Sequence, residues 1–341
     1  MWSQQFYRSQ RAEIGVDSGF VAQGYLIPAF TDEEVRAGRA RVAMQVAEGL
    51  DVSWVDPEEA AELVPAMAPG LHLGGSYASG DGYVDPPRNV AAYTAACLRD
   101  GVEVREGTEL VGLRRTGTGG LAGVETTDGF LPTGMVVLTG GPELAEVARR
   151  AGTRVAAGGA RHQVAVTEPA GALAATRVRM GFELASGIYW RHEDGGLLFG
   201  MSNPAEEPGP AREVDWVYLD RVRRRLAALI PATEGLGLRR VWAATIDFTP
   251  DHLPILGPAP GTEGEAIPGV TLASAGGHGM MWGPAVARIA ADLATEGSSP
   301  VLDVSALGAD RFGEDGTSPL APDPIALPFP ERTAQIGATV E

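Results

Sequence analysis

Residues 269–297 read GVTLASAGGHGMMWGPAVARIAADLATEG, and they are the most informative part of the sequence about the fold. Its first seven residues predict a short strand, the letters GGHG at 276–279 predict a loop, and we expect a helix to begin near Gly283. Glycines let a ligand approach the backbone closely, and a helix N-terminus offers unpaired N–H donors with partial positive charge. The unit is therefore typical of a site for a phosphate or another group that carries negative charge.

Two other interpretations of the glycine loop stay open. It is also compatible with a tight structural turn that binds nothing. Gly277, Gly279 and Gly283 form GxGxxxG, which is related to the dinucleotide fingerprint. That use needs a βαβ unit of about 30 residues. The chain after Gly297 shows no good strand, so we disfavour it.

The stretch before residue 158 predicts α/β layers. Thr31, Asp56 and Asp85 have the spacing of helix N-caps, and the Asp85 cap precedes a helix over 86–100. A strand over 102–106 and a hairpin with its turn at Asp128-Gly129 follow. The apolar run 135–138 then predicts a strand buried on both faces, which breaks at the glycines of VVLTGGP into another helix. These elements form one flank of an α/β domain with a parallel component.

The middle of the chain changes character. RHQVAVTEP, FELASGIYWRH, GGLLFGMSN and RRVWAATIDF alternate at period two and predict an antiparallel sheet. A helix over roughly 213–229 would pack on it through an apolar stripe that begins at Trp216. The segment from 298 has little periodicity, and we expect an extended, partly ordered tail. This order predicts one α/β domain interrupted by an antiparallel one.

Tyr189 and Arg191 are the candidate substrate-binding residues of the predicted sheet. Alternation places both side chains on one face of a strand. An arginine beside an aromatic ring suits a substrate with a carboxylate, and a solvated surface arginine is an equal alternative. In TPDHLP, Asp251-His252 is interpreted as a turn rather than an acid–base pair. The five histidines show no metal-ligand spacing, and no GxSxG motif supports hydrolase chemistry.

Composition excludes several classes of function. The net charge of −17 argues against nucleic-acid or anionic-membrane partners, because phosphates would repel the average surface. All 27 basic residues are arginine, so lysine-dependent chemistry is excluded. Cys97 is the one cysteine, which leaves no internal disulfide and no cysteine metal site. No apolar run reaches the length of a membrane span and no signal peptide is visible, so we expect a cytoplasmic protein.

Several motifs, taken in their order, resemble the D-amino-acid oxidase superfamily of FAD enzymes. Within it the chain is similar to the branch of sarcosine oxidase β-subunits and dimethylglycine- or proline-type dehydrogenases. The resemblance extends to about Gly297 and rests on these stretches: DGYVDPPRNVAAYTAACLRDGVEVREGTELVGL, VVLTGG, RHQVAVTEP, TPDHLPILGP and LASAGGHGMMWGPAVARIAADL. It implies a two-domain α/β flavoenzyme in which FAD-binding α/β layers carry an inserted antiparallel-sheet substrate domain.

The resemblance also implies a division of the chain. Residues 1–80 would begin the substrate domain, and 81–158 would form part of the FAD-binding domain. Residues 159–262 would form the substrate domain with its antiparallel sheet, 263–297 would return to the FAD-binding domain, and 298–341 would be the tail.

The resemblance further implies roles for individual residues. The backbone of Val104 would contact the adenine side of FAD, and Thr139 and Gly140 would border the dinucleotide. The following residues would lie along the flavin: Gly277, His278, Gly279, Met280 and Met281. His278 matches an active-site histidine of the sarcosine-oxidising members, and Tyr189 and Arg191 would line the substrate pocket. The implied reaction is hydride transfer from a carbon next to an amine nitrogen to flavin N5, which gives an imine.

The chain departs from the family pattern at several points. Members begin with a strand, GxGxxG and a helix, and we expect that this sequence lacks that segment. Members that are oxidases place a lysine beside the flavin, so the absence of lysine favours a dehydrogenase that passes electrons to another acceptor. The position where some members attach flavin covalently is not a cysteine here, which favours noncovalent FAD. Glycine-oxidising relatives carry a carboxylate-binding arginine near Ile246, so the substrate stays open.

One alternative comes from a different class. The chain could be a non-catalytic paralogue or subunit that needs a partner or upstream sequence to bind FAD. A partner that covers an exposed sheet edge would then be expected.

Overall fold

The computed structural model describes residues 1–176, 178–261, 264–313 and 316–320. The described residues form these α-helices: α1 Trp2–Ile14, α2 Asp32–Ala47, α3 Pro57–Leu63, α4 Pro86–Arg99, α5 Leu144–Arg150, α6 Gly171–Thr176, α7 Trp216–Leu229 and α8 Gly279–Glu296. They form these strands: β1 Val21–Ala22, β2 Tyr25–Pro28, β3 Ser53–Val55, β4 Gly75–Ala78, β5 Gly82–Tyr83, β6 Leu110–Arg115, β7 Leu121–Thr126, β8 Gly129–Pro132, β9 Val136–Leu138, β10 Gly158–Thr167, β11 Met180–Phe182, β12 Tyr189–Glu193, β13 Gly196–Met201, β14 Leu238–Phe248, β15 Ile255–Pro260 and β16 Ala266–Ser274. Short 3₁₀ helices follow at Gly141–Glu143, Pro231–Thr233, Ser305–Leu307 and Ala309–Arg311.

An eight-stranded sheet with the order β14-β10-β13-β12-β11-β2-β4-β3 dominates the structure. Its neighbouring strands are antiparallel except β11 and β2, which are parallel. The predicted antiparallel sheet is therefore confirmed. It also recruits β2, β3 and β4 from the first 80 residues.

One face of this sheet packs against α7. Leu26, Trp190 and Phe199 form a core with Leu219 and Leu226 of that helix. Because side chains alternate along a strand, the neighbours of these core residues project from the opposite face. Trp216, which we expected to face the sheet, is instead 63% exposed, since it occupies the first turn of the helix, just after its Asp215 cap.

A second, three-stranded sheet has the order β15-β16-β9. The strands β9 and β16 run parallel, and α8 follows β16 through the glycine loop. The parallel component and the mixed α/β fold class are thus confirmed. In β9, Leu138 is buried but Val137 is 36% exposed, so the prediction of burial on both faces was wrong. The reason is that Val137 lines an open groove beside β9.

Two local predictions need correction. The segment over 102–106 is not a strand, because it pairs with no other strand of the described residues and Val104 is 47% exposed. The final helix begins at Gly279 rather than near Gly283. The predicted hairpin at Asp128-Gly129 is present as β7 and β8, and the caps at Thr31, Asp56 and Asp85 are confirmed.

Two peripheral segments support α8 and its surroundings. Helix α1, which the sequence patterns missed, packs beside α8, where Ser3 Oγ accepts a hydrogen bond from the Ala285 N–H. In the tail, Val304 and Ala309 are buried against the three-stranded sheet. The tail therefore packs on the core as far as the structure describes it; residues 314–315 and 321–341 lie outside that part. The proposed domain boundaries at 80, 158, 262 and 297 stay a prediction.

Candidate functional site

A groove of about 510 Å³ opens at the C-terminal end of β9. Thr139 and Gly140 line it, as do Glu103 and Arg105, which flank Val104. The structure therefore brings together the two segments that were predicted to hold the dinucleotide. Its volume lies within the range of small-molecule sites. The end of a parallel strand is also a common place for ligands in α/β sheets.

Packing also favours a glycine at position 140. A Cβ atom at this position would lie 2.9 Å from the Cα of Leu144, at the start of α5. A larger side chain would therefore push the helix away from β9. The glycine serves close strand-to-helix packing as well as access to the groove.

The glycine loop makes a sharp turn between β16 and α8. Gly276 and Gly277 have φ values of +57° and +96°, in the left-handed region that favours glycine. A Cβ atom on Gly276 would lie 2.6 Å from the carbonyl oxygen of Leu253, so this residue packs directly on the TPDHLP turn. At Gly279 and Gly283 a Cβ atom would meet nothing within 4 Å. Space for a ligand therefore exists along the first turn of α8.

The N-terminus of α8 is the strongest anion-attracting feature of this loop. His278 is the N-cap residue, and its side chain makes no capping hydrogen bond. The first N–H groups of this 18-residue helix thus receive no hydrogen bond from the N-cap side chain, and the helix dipole adds partial positive charge there. Tyr7 of α1 holds this turn by donating a 2.7 Å hydrogen bond to the carbonyl of Met280, while Met281 is 60% exposed.

Two histidines lie close to one another at this loop. Burial, with a smaller contribution from the nearby His278, lowers the pKa of His252 to about 4. Burial also lowers the pKa of His278, although the carbonyl of Gly276 and the charge of Asp247 partly offset this effect. Both imidazoles are therefore neutral at pH 7. The His278 ring packs on Trp282, with their centroids 4.4 Å apart.

Asp247 was not among the predicted site residues, and it reaches the loop from β14. It accepts a 3.0 Å hydrogen bond from the hydroxyl of Ser274, the last residue of β16. Three residues earlier, Ala244 pairs with His162 of β10. The strand β14 thus connects the eight-stranded sheet to the glycine loop. The sequence signal for this connection was the uninterrupted strand pattern of RRVWAATIDF, which continues directly into TPDHLP.

Tyr189 and Arg191 share one face of the large sheet, as alternation predicted, and this face is opposite α7. Arg191 forms an ion pair with Glu193, and its guanidinium lies 4.1 Å from the centroid of the Tyr83 ring. It already has a carboxylate partner and is not a freely solvated arginine. Tyr189 donates to, or accepts from, Nε2 of His162 at 2.8 Å. The sequence patterns missed His162, because this contact joins strands that are not consecutive in the chain.

These residues fit FAD. The groove offers space at the end of β9, the start of α8 attracts negative charge, and Gly279 leaves the helix surface open. No cluster of three or more metal-ligating side chains exists within the described ranges. In the same ranges, no helix has the length and apolarity that a membrane crossing requires.

Solved structures with this fold include two amino-acid enzymes. L-proline dehydrogenase from P. horikoshii superposes with a TM-score of 0.82 at 26% identity, over 91% of this chain and 81% of that one. Glycine oxidase from Geobacillus kaustophilus superposes with a TM-score of 0.76 at 25% identity, over 90% and 81%.

Curated proteins that are similar to this chain also include oxidases and dehydrogenases. Glycine oxidase of Pseudomonas putida is 29% identical over 89% of this chain and 79% of its own length. Human dimethylglycine dehydrogenase is 24% identical over 91% of this chain. The chain spans only 37% of that protein and 29% of mouse sarcosine dehydrogenase. The sequence profile of the DAO family, described as FAD dependent oxidoreductase, matches residues 1–293. Since that match covers most of the sequence, the chain belongs to the DAO family of FAD-dependent oxidoreductases.

Proposed function

We propose that this chain binds FAD noncovalently and oxidises a C–N bond of a small amine or amino acid, with secondary or N-methylated amino acids as its substrates. The proposal rests mainly on the N-terminus of α8, which has no side-chain cap and follows the left-handed turn at Gly276-Gly277. At Gly279, the first residue of this helix, there is open space for a ligand. In this family that arrangement suits a ring that gains negative charge on reduction. The one cysteine, Cys97, lies on α4 and not in the glycine loop, which favours noncovalent binding.

When bound, FAD supplies the acceptor for a hydride from the carbon next to the amine nitrogen. The residues of the chain bind and orient the reactants. Thr139, Gly140 and the backbone around Val104 hold the dinucleotide at the end of β9. The N–H groups at 279–281 would stabilise negative charge on a bound flavin, and His278 lies beside them as a neutral imidazole. Water then hydrolyses the imine product.

The substrate class follows from the relatives and from the open sheet face. Proteins named for sarcosine, dimethylglycine and L-proline are among the matches, and each of these compounds carries a carboxylate beside a substituted nitrogen. Because Glu193 engages Arg191, Tyr189 is the stronger candidate to donate a hydrogen bond to that carboxylate.

The absence of lysine supports a dehydrogenase. The chain has no lysine at any position, so no lysine ammonium group is available beside the flavin to help oxygen react. Electrons would then pass to a separate acceptor. A partner protein is one such acceptor.

A second candidate is a subunit that needs a partner to bind FAD. The observation that favours it is the exposure of apolar side chains around the groove and on α4. Val90 is 64% exposed, Leu98 59% and Val104 47%. Apolar exposure of this kind marks interaction surfaces.

The test is anaerobic reduction of the FAD-loaded protein by a panel of N-methylglycine, N,N-dimethylglycine, L-proline and glycine. We expect one of the first three to bleach the flavin absorbance fastest. Addition of oxygen should then restore the colour more slowly than an artificial electron acceptor does. No bleaching by any amine would contradict the proposed substrate class, and faster recovery with oxygen would contradict the dehydrogenase assignment.

A further inference from the structure

His162 lies between a serine and a tyrosine on the face of the large sheet opposite α7. Its Nδ1 is 2.9 Å from Ser202 Oγ, and its Nε2 is 2.8 Å from Tyr189 Oη. The imidazole and phenol rings are parallel within 3°, with centroids 5.6 Å apart. Three side chains from β10, β12 and the end of β13 thus form one continuous hydrogen-bonded chain.

The packing around this chain holds it in place. Ser202 is 1% exposed. A Cβ atom on Gly200 would lie 2.6 Å from Tyr189 Oη, so the glycine leaves the space that the phenol occupies. The β10–β13 register brings His162 opposite Ser202, because Gln163 pairs with Met201. The arrangement therefore follows from strand pairing and one glycine rather than from a flexible loop.

Each member of the chain is neutral at physiological pH. Burial lowers the pKa of His162 to about 4. Burial likewise raises the pKa of Tyr189, and the neighbouring Tyr25 adds to this effect. A neutral imidazole donates from one nitrogen and accepts at the other. Only two hydrogen-bond directions are therefore available.

In the first direction the Tyr189 hydroxyl donates a hydrogen bond to Nε2 of His162, and Nδ1–H of His162 donates a hydrogen bond to Ser202 Oγ. In the second, the Ser202 hydroxyl donates to Nδ1, and Nε2–H donates to Tyr189 Oη. The phenol proton then points away from His162. A carboxylate accepts hydrogen bonds but donates none. It can bind Tyr189 only in the second direction.

We propose that His162 is a positioning residue, and that a carboxylate at Tyr189 selects its Nε2–H tautomer through the Ser202–His162–Tyr189 chain. The inference rests on the proposed function, since it assigns Tyr189 to the substrate carboxylate. His162 touches no substrate itself. It determines whether the phenol proton is available.

The first test is ¹⁵N NMR of the histidine-labelled full chain, with and without FAD, titrated with acetate. Acetate carries the carboxylate and no amine, so it cannot be oxidised. The ring ¹⁵N signals that disappear in the His162→Phe variant are assigned to His162. We expect acetate to move the ring ¹⁵N shifts towards the Nε2–H pattern. Shifts that stay in place, or that move towards the Nδ1–H pattern, overturn the proposal.

The second test is a double-mutant cycle on acetate binding. His162→Phe keeps an aromatic ring on Tyr189 but removes both hydrogen bonds. We expect it to weaken acetate binding by up to about tenfold, because the phenol loses the Nε2–H donor that orients its proton towards the carboxylate. In the Tyr189→Phe background the same substitution should have no further effect. An equal loss in both backgrounds overturns the proposal, because a purely structural role would act without Tyr189.

A matched control separates this effect from loss of any histidine. His192 also lies on β12, but its side chain projects from the face opposite that of Tyr189. It accepts a hydrogen bond from the Gly195 N–H. His192→Gln should leave acetate binding unchanged. The NMR measurement without FAD is independent of flavin retention. A chain that binds no FAD would therefore defeat the proposed function without deciding the role of His162.

Discussion

At the first turn of α8, single glycines determine how closely a ligand can approach the backbone. Gly276 is explained by its contact with the TPDHLP turn, whereas Gly279 faces open space. The two residues look alike in the sequence. Their difference depends on contacts with a turn that lies more than 20 residues earlier in the chain. We therefore separate a structural glycine from a candidate FAD-contacting glycine.

Gly279→Ala tests this distinction. Alanine is the better helix former by roughly 0.5–1 kcal/mol, so the free energy of unfolding should stay equal or increase. The added methyl group would occupy the ligand space, and the Kd for FAD should rise by about tenfold or more. Equilibrium titration of flavin fluorescence measures the Kd. Gly171→Ala, another position with open space, is the control and should leave FAD affinity unchanged. Equal affinities in both variants would remove Gly279 from the cofactor site.

The buried histidines predict a pH dependence of stability. The pKa values of His162 and His252 fall from 6.5 to about 4 through burial. The unfolded chain therefore binds protons that the folded chain does not, from pH 6.5 down to about 4. The free energy of unfolding should decrease as the pH falls through this window. Urea unfolding at pH 7.5, 6 and 5 measures this change, and we expect the urea concentration at the midpoint to decrease with the pH. A constant midpoint would mean that these histidines are not buried as neutral groups.

At the scale of elements, the TPDHLP turn depends on the tail. Arg311 donates to both carboxylate oxygens of Asp251, at 2.8 and 2.9 Å, and both side chains are almost completely buried. Ser318 adds a 2.7 Å hydrogen bond to the same carboxylate. The turn in question also supports Gly276. The tail thus stabilises the TPDHLP turn, and through this turn it supports the glycine loop at the start of α8.

Arg311→Met should remove this support. It leaves the Asp251 carboxylate buried without a cation, which costs about 3–5 kcal/mol. The double variant Asp251→Asn/Arg311→Met should recover part of this loss, because no uncompensated charge remains. Arg149→Met, in an exposed ion pair with Glu146, is the control and should cost less than about 1 kcal/mol. Urea unfolding compares the four proteins. A loss for Arg311→Met no larger than for Arg149→Met would contradict the buried pair.

Elements were predictable where the local pattern is strong. The caps at Asp56 and Asp85 and the period-two strands all appear as expected. Helix α1 was missed because its buried residues include Ser3 and Gln10, so no apolar stripe marks it. The segment over 102–106 alternates like a strand, yet it pairs with no strand of the described chain. Pairing is a long-range property that alternation alone does not contain.

At the scale of the whole molecule, the site is built from segments far apart in the sequence. Tyr7 and Met280 are 273 positions apart, and Arg311 and Asp251 are 60 apart. The motif order correctly predicted the family and the mixed α/β fold. It could not predict that Arg191 is engaged by Glu193, or that His162 lies on Tyr189. Those contacts depend on side-chain conformations and on the order of strands in the large sheet.

We infer that this chain holds FAD at the start of α8. The most direct measurement is the visible absorption spectrum of the full chain after incubation with excess FAD and removal of free dye by gel filtration. We predict retained flavin absorbance near one equivalent, lost on denaturation and reduced in Gly279→Ala. A colourless protein would contradict the claim that this chain by itself forms the FAD site.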